Sequence, residues 1–406
     1  MYAHARMDPR FRPLFNAQFS EERYEWYKRE LSRRLDTSFE FRLAESPVFL
    51  PDDLKQKLVD GAQAIVEQLS RPEQIERMKA AIPERWNTPG MDRLPSFTQV
   101  DFAVVRGADG TLVPKLIELQ GFPSLTAFQM VQRDVWREAM SPMDGLDREW
   151  SCWFSGLDRA SFIELARRTI CGTHDPAETI LMDIDPPRQK TYPDFAATKL
   201  LFGVDAVDPT SLVKHGRQLF RADGTPVRRI YNRVVFDELI AKNIALPFDY
   251  REELDVEWAP HPNWYWVWSK YSLPFLEHES VPRATFLSDL DEVPHDLTGY
   301  VLKPLFSFAG GGVNVEPTRE DVLAIPAGER HAWCLQEKIE YEPAVAAADG
   351  GGVKIEIRMM FLRPDDEQKP ILAQNLVRLS RGKMLGVDFN KQFTWVGSSV
   401  GLAPKS

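Results

Sequence analysis

A strand lysine followed by a glycine triplet, in the run Tyr300 to Val315, YVLKPLFSFAGGGVNV, is the feature with the clearest chemical content. Lys303 projects from its strand with a fixed reach. Gly310, Gly311 and Gly312 let backbone N–H groups approach an anion without interference from a Cβ. Together they suit a phosphate. The run lacks the lysine and hydroxyl residue that close a Walker loop, and it lacks a G-x-G-x-x-G opening onto a helix. A hairpin tip remains, and the same triplet also reads as an ordinary turn.

A second constellation is acidic. Phe97 to Arg106 and Thr111 to Gln120 read as two strands joined at Gly107-Ala-Asp-Gly110. A two-residue type I′ turn at Asp109-Gly110 places Asp101 opposite Glu118, with Gln120 on the same face as Glu118. Like charges directly opposite one another destabilise a ladder unless a cation or water separates them. Mg²⁺ takes carboxylate, carbonyl and phosphate oxygens together. A solvated face bearing incidental acids is the competing reading, and a bulge at Pro114 would shift the register.

Further along, Trp333-Cys-Leu-Gln-Glu-Lys-Ile-Glu-Tyr-Glu reads as an apolar strand with a polar exit. Its backbone and Glu337 can match the donor and acceptor of a purine, or it is a plain core strand with an acidic end. Alternation over Lys354 to Phe361 puts Lys354, Glu356 and Arg358 on one face, either a phosphate channel or the wet side of a sheet. Arg378 and Arg381 add cations suited to bidentate contacts. Trp264, Trp266 and Trp268 alternate as on a strand and read as a buried aromatic cluster or a pocket wall. His261, His278 and His331 have no ligand spacing, which disfavours a metal hydrolase.

These residues need a sizeable scaffold. A chain of 406 residues exceeds what one core usually fills, so two or three domains are expected. Helical periodicity runs from Ser20 to about Trp86, with starts at Ser20-Glu-Glu-Arg and Pro51-Asp-Asp-Leu. The spacing predicts helices over 126–139 and 192–202, with a strand at Thr179-Ile-Leu-Met-Asp between helical runs: a small α/β unit. Ala222-Asp-Gly-Thr225 signals another hairpin, and strands resume after Pro260-His-Pro-Asn263. A net charge of −10 opposes nucleic acid and anionic lipid. Cys152, Cys171 and Cys334 are scattered and odd in number, against a disulfide framework. The opening MYAHARMDPRFRPLF carries no apolar run, and no segment approaches a membrane span, so a cytoplasmic protein with no membrane contact is expected.

Taken in order, the pieces resemble the ATP-grasp superfamily. Asp101…Glu118-Leu-Gln120-Gly-Phe-Pro-Ser precedes the phosphate-binding lysines, as in a circularly permuted member similar to eukaryotic-type glutathione synthetase and glutathionylspermidine synthetase-like ligases. YVLKPLFSFAGGGVN looks like that family's lysine and glycine-rich loop, and LQEKIEYEPAV like its adenine-binding hinge. The resemblance implies an α+β chain: a circularly permuted ATP-grasp fold with an inserted small α/β (Rossmann-like) substrate domain and an N-terminal helical region. The expected division is 1–95 helical, 96–160 the metal-binding hairpin, 161–254 the inserted domain and 255–406 the nucleotide-binding part.

Carried over by residue, the resemblance makes Lys270 and Lys303 the ATP-phosphate lysines, with Gly310, Gly311, Gly312 and Asn314 beside the phosphates. Gln336, Glu337, Lys338 and Ile339 would contact adenine. Asp101, Glu118 and Gln120 look like metal ligands, with Gln120 in place of the usual asparagine. Arg233 resembles a substrate arginine, and Arg358 and Ser124 are further substrate candidates. Gln99 stands where the group has an arginine for its peptide substrate, and Leu305 to Phe308 lack its loop glutamate, which argues against glutathione synthesis itself.

The activity so implied is an ADP-forming carboxylate–amine ligase using ATP and Mg²⁺ through an acylphosphate, with Arg378 and Lys303 as catalytic candidates. Its partners would be a small amino-acid-like or peptide carboxylate and an amine, with a homodimer possible and no nucleic acid or membrane. The alternatives are an ATP-grasp phosphotransferase and a non-catalytic nucleotide-binding scaffold.

Overall fold

A computed structural model describes residues 7–307, 311–382, 390 and 392–405. The N-terminal region supplies helices α1 (Glu21–Leu35) and α2 (Asp52–Leu69). Ser20 starts α1 by accepting from the Arg23 N–H, with Glu21 and Glu22 in the first turn and Arg33 and Arg34 in the last, each sign matched to the helix dipole. Tyr24, Tyr27, Leu31 and Leu35 form its buried stripe. Tyr27 stacks on Trp136 of α3 (Thr126–Met140), ring centroids 4.0 Å apart.

Strands β1 (Phe97–Arg106) and β2 (Leu112–Gln120) form the acidic hairpin, over which α2 packs. The turn differs from the expected two-residue type. Gly107 donates to the Thr111 carbonyl, Gly110 donates to Gly107, and Asp109 Oδ1 accepts from the Thr111 N–H, so three residues span the loop. Gly110 supplies the left-handed backbone, φ +82°, that this loop requires. The same four residues recur at Ala222-Asp-Gly-Thr225 and build the same turn, with Gly224 at φ +86°. The longer loop moves the ladder by one residue, and a bulge at Ile117, not at Pro114, moves it back. Asp101 therefore faces Glu118, and Gln99 faces Gln120.

After α3 the chain forms α4 (Arg159–Cys171), β3 (Thr179–Met182), α5 (Tyr192–Phe202), β4 (Asp205–Val207), β5 (Arg229–Asn232) and β6 (Glu257–Ala259). The four strands make a parallel sheet in the order β6-β5-β3-β4, a small α/β unit with its own apolar core. Strand order reverses between β3 and β5, so their carboxyl ends border a topological switch point.

The tryptophan run that follows is not a strand. Trp264–Val267 is one helical turn, and Lys270–Phe275 is a 3₁₀ turn begun by Ser269, whose hydroxyl accepts from the Tyr271 N–H. Helical spacing brings Trp264 and Trp268 together, centroids 5.5 Å apart, where a strand would have served as well only for burial on one face. Strands resume as β7 (Ala284–Phe286), β8 (Tyr300–Pro304) and β9 (Trp333–Glu337), an antiparallel sheet in the order β7-β9-β8 over its own small core. Finally β10 (Gly352–Leu362), β11 (Ile371–Ser380) and β12 (Gly397–Ser399) join the hairpin in the order β12-β11-β10-β1-β2, with Val345–Ala346 added beside β10. The helices α1 and α2 share one continuous apolar core with this larger sheet. All three cysteines are buried and free. Among the described residues no helix is long and apolar enough to cross a membrane.

Candidate functional site

Two lysines from separate segments converge on β2. Lys303, on β8, is buried, and its Nζ donates to the Ile117 carbonyl at 2.8 Å. Ile117 is the bulged residue, so its carbonyl is turned out of the ladder with the β1 strand and is available to a side chain. Lys270 opens the 3₁₀ turn; its Nζ donates to the Ser307 carbonyl and lies 3.6 Å from Glu118 Oε2. Burial pushes the Lys303 ammonium below its ordinary pKa, and Glu118 partly opposes the shift.

Beside the lysines is a buried ionic cluster. Asp101 accepts from Arg358 at both oxygens, 2.6 Å each, and Arg378 adds a contact of 2.6 Å to Oδ2. Arg378 also donates to Glu356, which stands 3.5 Å from the Tyr341 hydroxyl. Burial alone would raise the Asp101 carboxyl; Arg358 and Arg378 more than reverse this and hold it below the usual range. Burial pushes the Glu356 carboxyl up against the pull of Arg378, with Asp101 and Glu118 adding to the rise. Lys270, Lys303, Arg358 and Arg378 outnumber Asp101, Glu118 and Glu356 by one. Period-two alternation on β10 placed Glu356 and Arg358 on one face; nothing in the sequence marked Tyr341 or the Ile117 carbonyl.

Asp101 is engaged at both oxygens by the two arginines. Arg358, expected as a substrate contact, pairs with Asp101. Among the described residues no group of three or more His, Cys, Asp and Glu could hold a metal ion. Glu118 and Gln120 do fit a hard cation that shares its shell with phosphate oxygens. Glu118 is partly exposed and makes one long ionic contact. Gln120 donates from Nε2 to Gln99 Oε1 at 3.0 Å and to the Phe122 carbonyl at 2.9 Å. Gln99 in turn donates to the Ser124 carbonyl at 3.0 Å, so Ser124 enters the site through its backbone.

The remaining expected residues are more dispersed. Gly310 lies outside the described residues. The Gly311 carbonyl accepts from the Ser307 hydroxyl at 2.7 Å, and Gly312 takes a left-handed φ of +70° against Pro304. Asn314 pairs by backbone with Leu302, while its side chain donates to Asp321 and accepts from the Glu316 N–H. It is therefore used within its own loop. Gln336 reaches toward the Leu116 carbonyl at 3.4 Å, Glu337 accepts from the Arg283 N–H at 3.0 Å, and the Lys338 N–H donates to Gly299. Ile339 follows in the extended exit from β9. Arg381 forms a two-point ion pair with Asp349.

Arg233 stands at the switch point. Its backbone N–H donates to Met182, its guanidinium donates to the Pro123 carbonyl, and Phe122 and Phe195 flank it at 5.5 Å. Asp183, next to it at the end of β3, and Asp194, in the first turn of α5, are also buried. Asp194 Oδ1 accepts from the first N–H groups of α3, at 2.9 and 3.0 Å from Ala127 and Phe128. Burial pushes Asp183 up to about 7, with Arg233 opposing. Sequence reasoning missed both acids, although a polar residue directly after the apolar strand Thr179-Ile-Leu-Met182 was the available signal.

No family model matches the chain, and no curated protein matches it. Among solved structures it is similar to a glutathione synthetase-like effector from Globodera pallida in apo form, with TM-score 0.56 and 14% identity over 95% of this chain and 96% of that one. At that identity the likeness shows a shared fold.

Proposed function

We propose that the protein is an ATP-dependent, ADP-forming carboxylate–amine ligase built on a circularly permuted ATP-grasp fold. The observation that carries the reading is the meeting of Lys270 and Lys303, from two separate segments, at Glu118 and the Ile117 bulge of the sequence-distant hairpin. This is a cationic site bordered by a partly exposed carboxylate, as phosphoryl transfer from a nucleotide requires. The fold shared with a glutathione synthetase-like protein supports it. So does the order of the parts, in which the acidic hairpin precedes the lysine-bearing sheet yet pairs through β1 with the late strand β10.

In this reading a substrate carboxylate takes the γ-phosphoryl group with loss of ADP, and the amine then displaces phosphate from the acyl carbon. Lys303, fixed by Ile117, and Lys270, fixed by Ser307, hold the phosphates. Glu118 and Gln120 would hold Mg²⁺, which supplies charge neutralisation at the phosphate oxygens when bound. Arg378, braced by Asp101 and Glu356, is the cation next to the acyl oxygen. Arg233, with Asp183 and Asp194, faces the acceptor from the α/β unit. Calorimetric titration of ATP with and without Mg²⁺, followed by a screen of carboxylate and amine pairs for ADP release, tests the reading.

A second reading, a nucleotide-binding protein without turnover, draws on one specific observation. Asp101 is withdrawn into an arginine clamp. Mg²⁺-dependent ATP binding with no ADP release across the screen would favour it.

A further inference from the structure

Gln99 and Gln120 are cross-strand partners, both buried, and their side-chain amides form one directed chain. At its far end Gln99 Nε2 donates to the Ser124 carbonyl, which can only accept. Gln99 must therefore present its oxygen toward Gln120. Gln120 Nε2 spends its two hydrogens on that oxygen and on the Phe122 carbonyl, again an obligate acceptor. The Ser124 carbonyl thus fixes the Gln99 amide, and the Gln99 oxygen together with the Phe122 carbonyl sets that of Gln120. The Gln120 carbonyl oxygen makes no hydrogen bond among the described residues, and it is not one of the sealed-off buried atoms.

We propose that Gln99 is a positioning residue whose amide turns the Gln120 carbonyl oxygen outward, making Gln120 with Glu118 an oxygen pair for a divalent cation. An amide rotated the other way would offer N–H donors to the cation and repel it. Gln120 is one methylene longer than an asparagine and so has one more rotatable bond to restrain, which the contact with Gln99 does. The inference rests on the nucleotide and Mg²⁺ reading of the same site.

The test compares Mg²⁺ dependence of ATP binding by calorimetry in the wild type, Gln99→Met, Gln120→Glu and the double variant, with thermal unfolding as a check on folding. Gln99→Met is expected to weaken the Mg²⁺-dependent gain in affinity about ten-fold while leaving binding in EDTA unchanged. A glutamate presents oxygen whichever way it rotates, so Gln99→Met/Gln120→Glu is expected to regain the Mg²⁺ response. A full Mg²⁺ response in Gln99→Met overturns the proposal, as does failure of the double variant to recover while it remains folded. If the wild type binds ATP equally with and without Mg²⁺, or not at all, the proposed function falls and this inference falls with it. A normal wild-type response with unaffected variants removes the inference alone.

Discussion

Lys303 and Ile117 are joined at 2.8 Å, and Ile117 is the one residue of β2 that its ladder with β1 leaves without a partner. The bulge thus has two effects. It restores the register that keeps Asp101 opposite Glu118, and it frees the carbonyl that fixes a buried ammonium. Replacing Lys303 by methionine removes the ammonium and its burial penalty while leaving a buried carbonyl unsatisfied, at about 1–3 kcal/mol. These effects oppose each other, so Lys303→Met should leave the melting temperature nearly unchanged while ATP affinity drops more than about ten-fold, or about 1.4 kcal/mol. Unchanged affinity in a folded variant would remove Lys303 from the site.

Asp101 is the keystone of the arginine cluster. Removing one partner of a buried ion pair costs about 3–5 kcal/mol because the other charges are left uncompensated. Asp101→Ala should destabilise the protein by that amount in urea unfolding, and Asp101→Asn by less. A stable Asp101→Ala variant that has merely lost its Mg²⁺ response would instead make Asp101 a metal ligand.

Asp183 gives the protein a pH signature. Its carboxyl is raised from an ordinary value near 3.8 to about 7 in the folded state, so the native protein holds this proton more tightly than the unfolded chain. The resulting stability is fully present below the unfolded pKa and is lost as pH rises through the folded one. At about 1.4 kcal/mol per pKa unit, up to about 4 kcal/mol is involved. Thermal melts from pH 4 to 8 should therefore show less loss of stability with rising pH in Asp183→Asn than in the wild type. Parallel curves would exclude Asp183 as the source.

The repeated Ala-Asp-Gly-Thr turns allow an internal comparison. Gly110 and Gly224 have the same left-handed φ, and a Cβ at either position meets nothing within 4 Å. Backbone strain alone is at issue, so Gly110→Ala and Gly224→Ala should each cost about 1–2 kcal/mol and by similar amounts. A large difference between them would show that one turn carries a further load.

The hairpin shows how far the sequence can be read. Alternation, an Asp-Gly turn signal and the pairing arithmetic identified the partners Asp101 and Glu118, although the loop was one residue longer than expected and the bulge at Ile117 compensated. The same three-residue loop forms at Ala222-Asp-Gly-Thr225, so local turn chemistry selects it in both places. Helix starts were legible because their signals are local: a side-chain cap at Ser20, and Pro51 followed by Asp52 and Asp53 in the first turn. The Trp264 to Trp268 run was not, since alternation over five residues fits a strand while Trp264 and Trp268 also share a helical face. Asp183, Asp194 and the engagement of Asp101 by Arg358 and Arg378 depend on contacts between distant segments, which no single stretch encodes.

The central claim is that Lys270, Lys303 and Glu118 form a Mg²⁺-dependent nucleotide site. Calorimetric titration of ATP into the protein with and without Mg²⁺, with Glu118→Ala alongside, tests it most directly. The account predicts Mg²⁺-dependent binding that loses its metal response in Glu118→Ala. Absence of ATP binding under both conditions, or a full Mg²⁺ response in the variant, would contradict it.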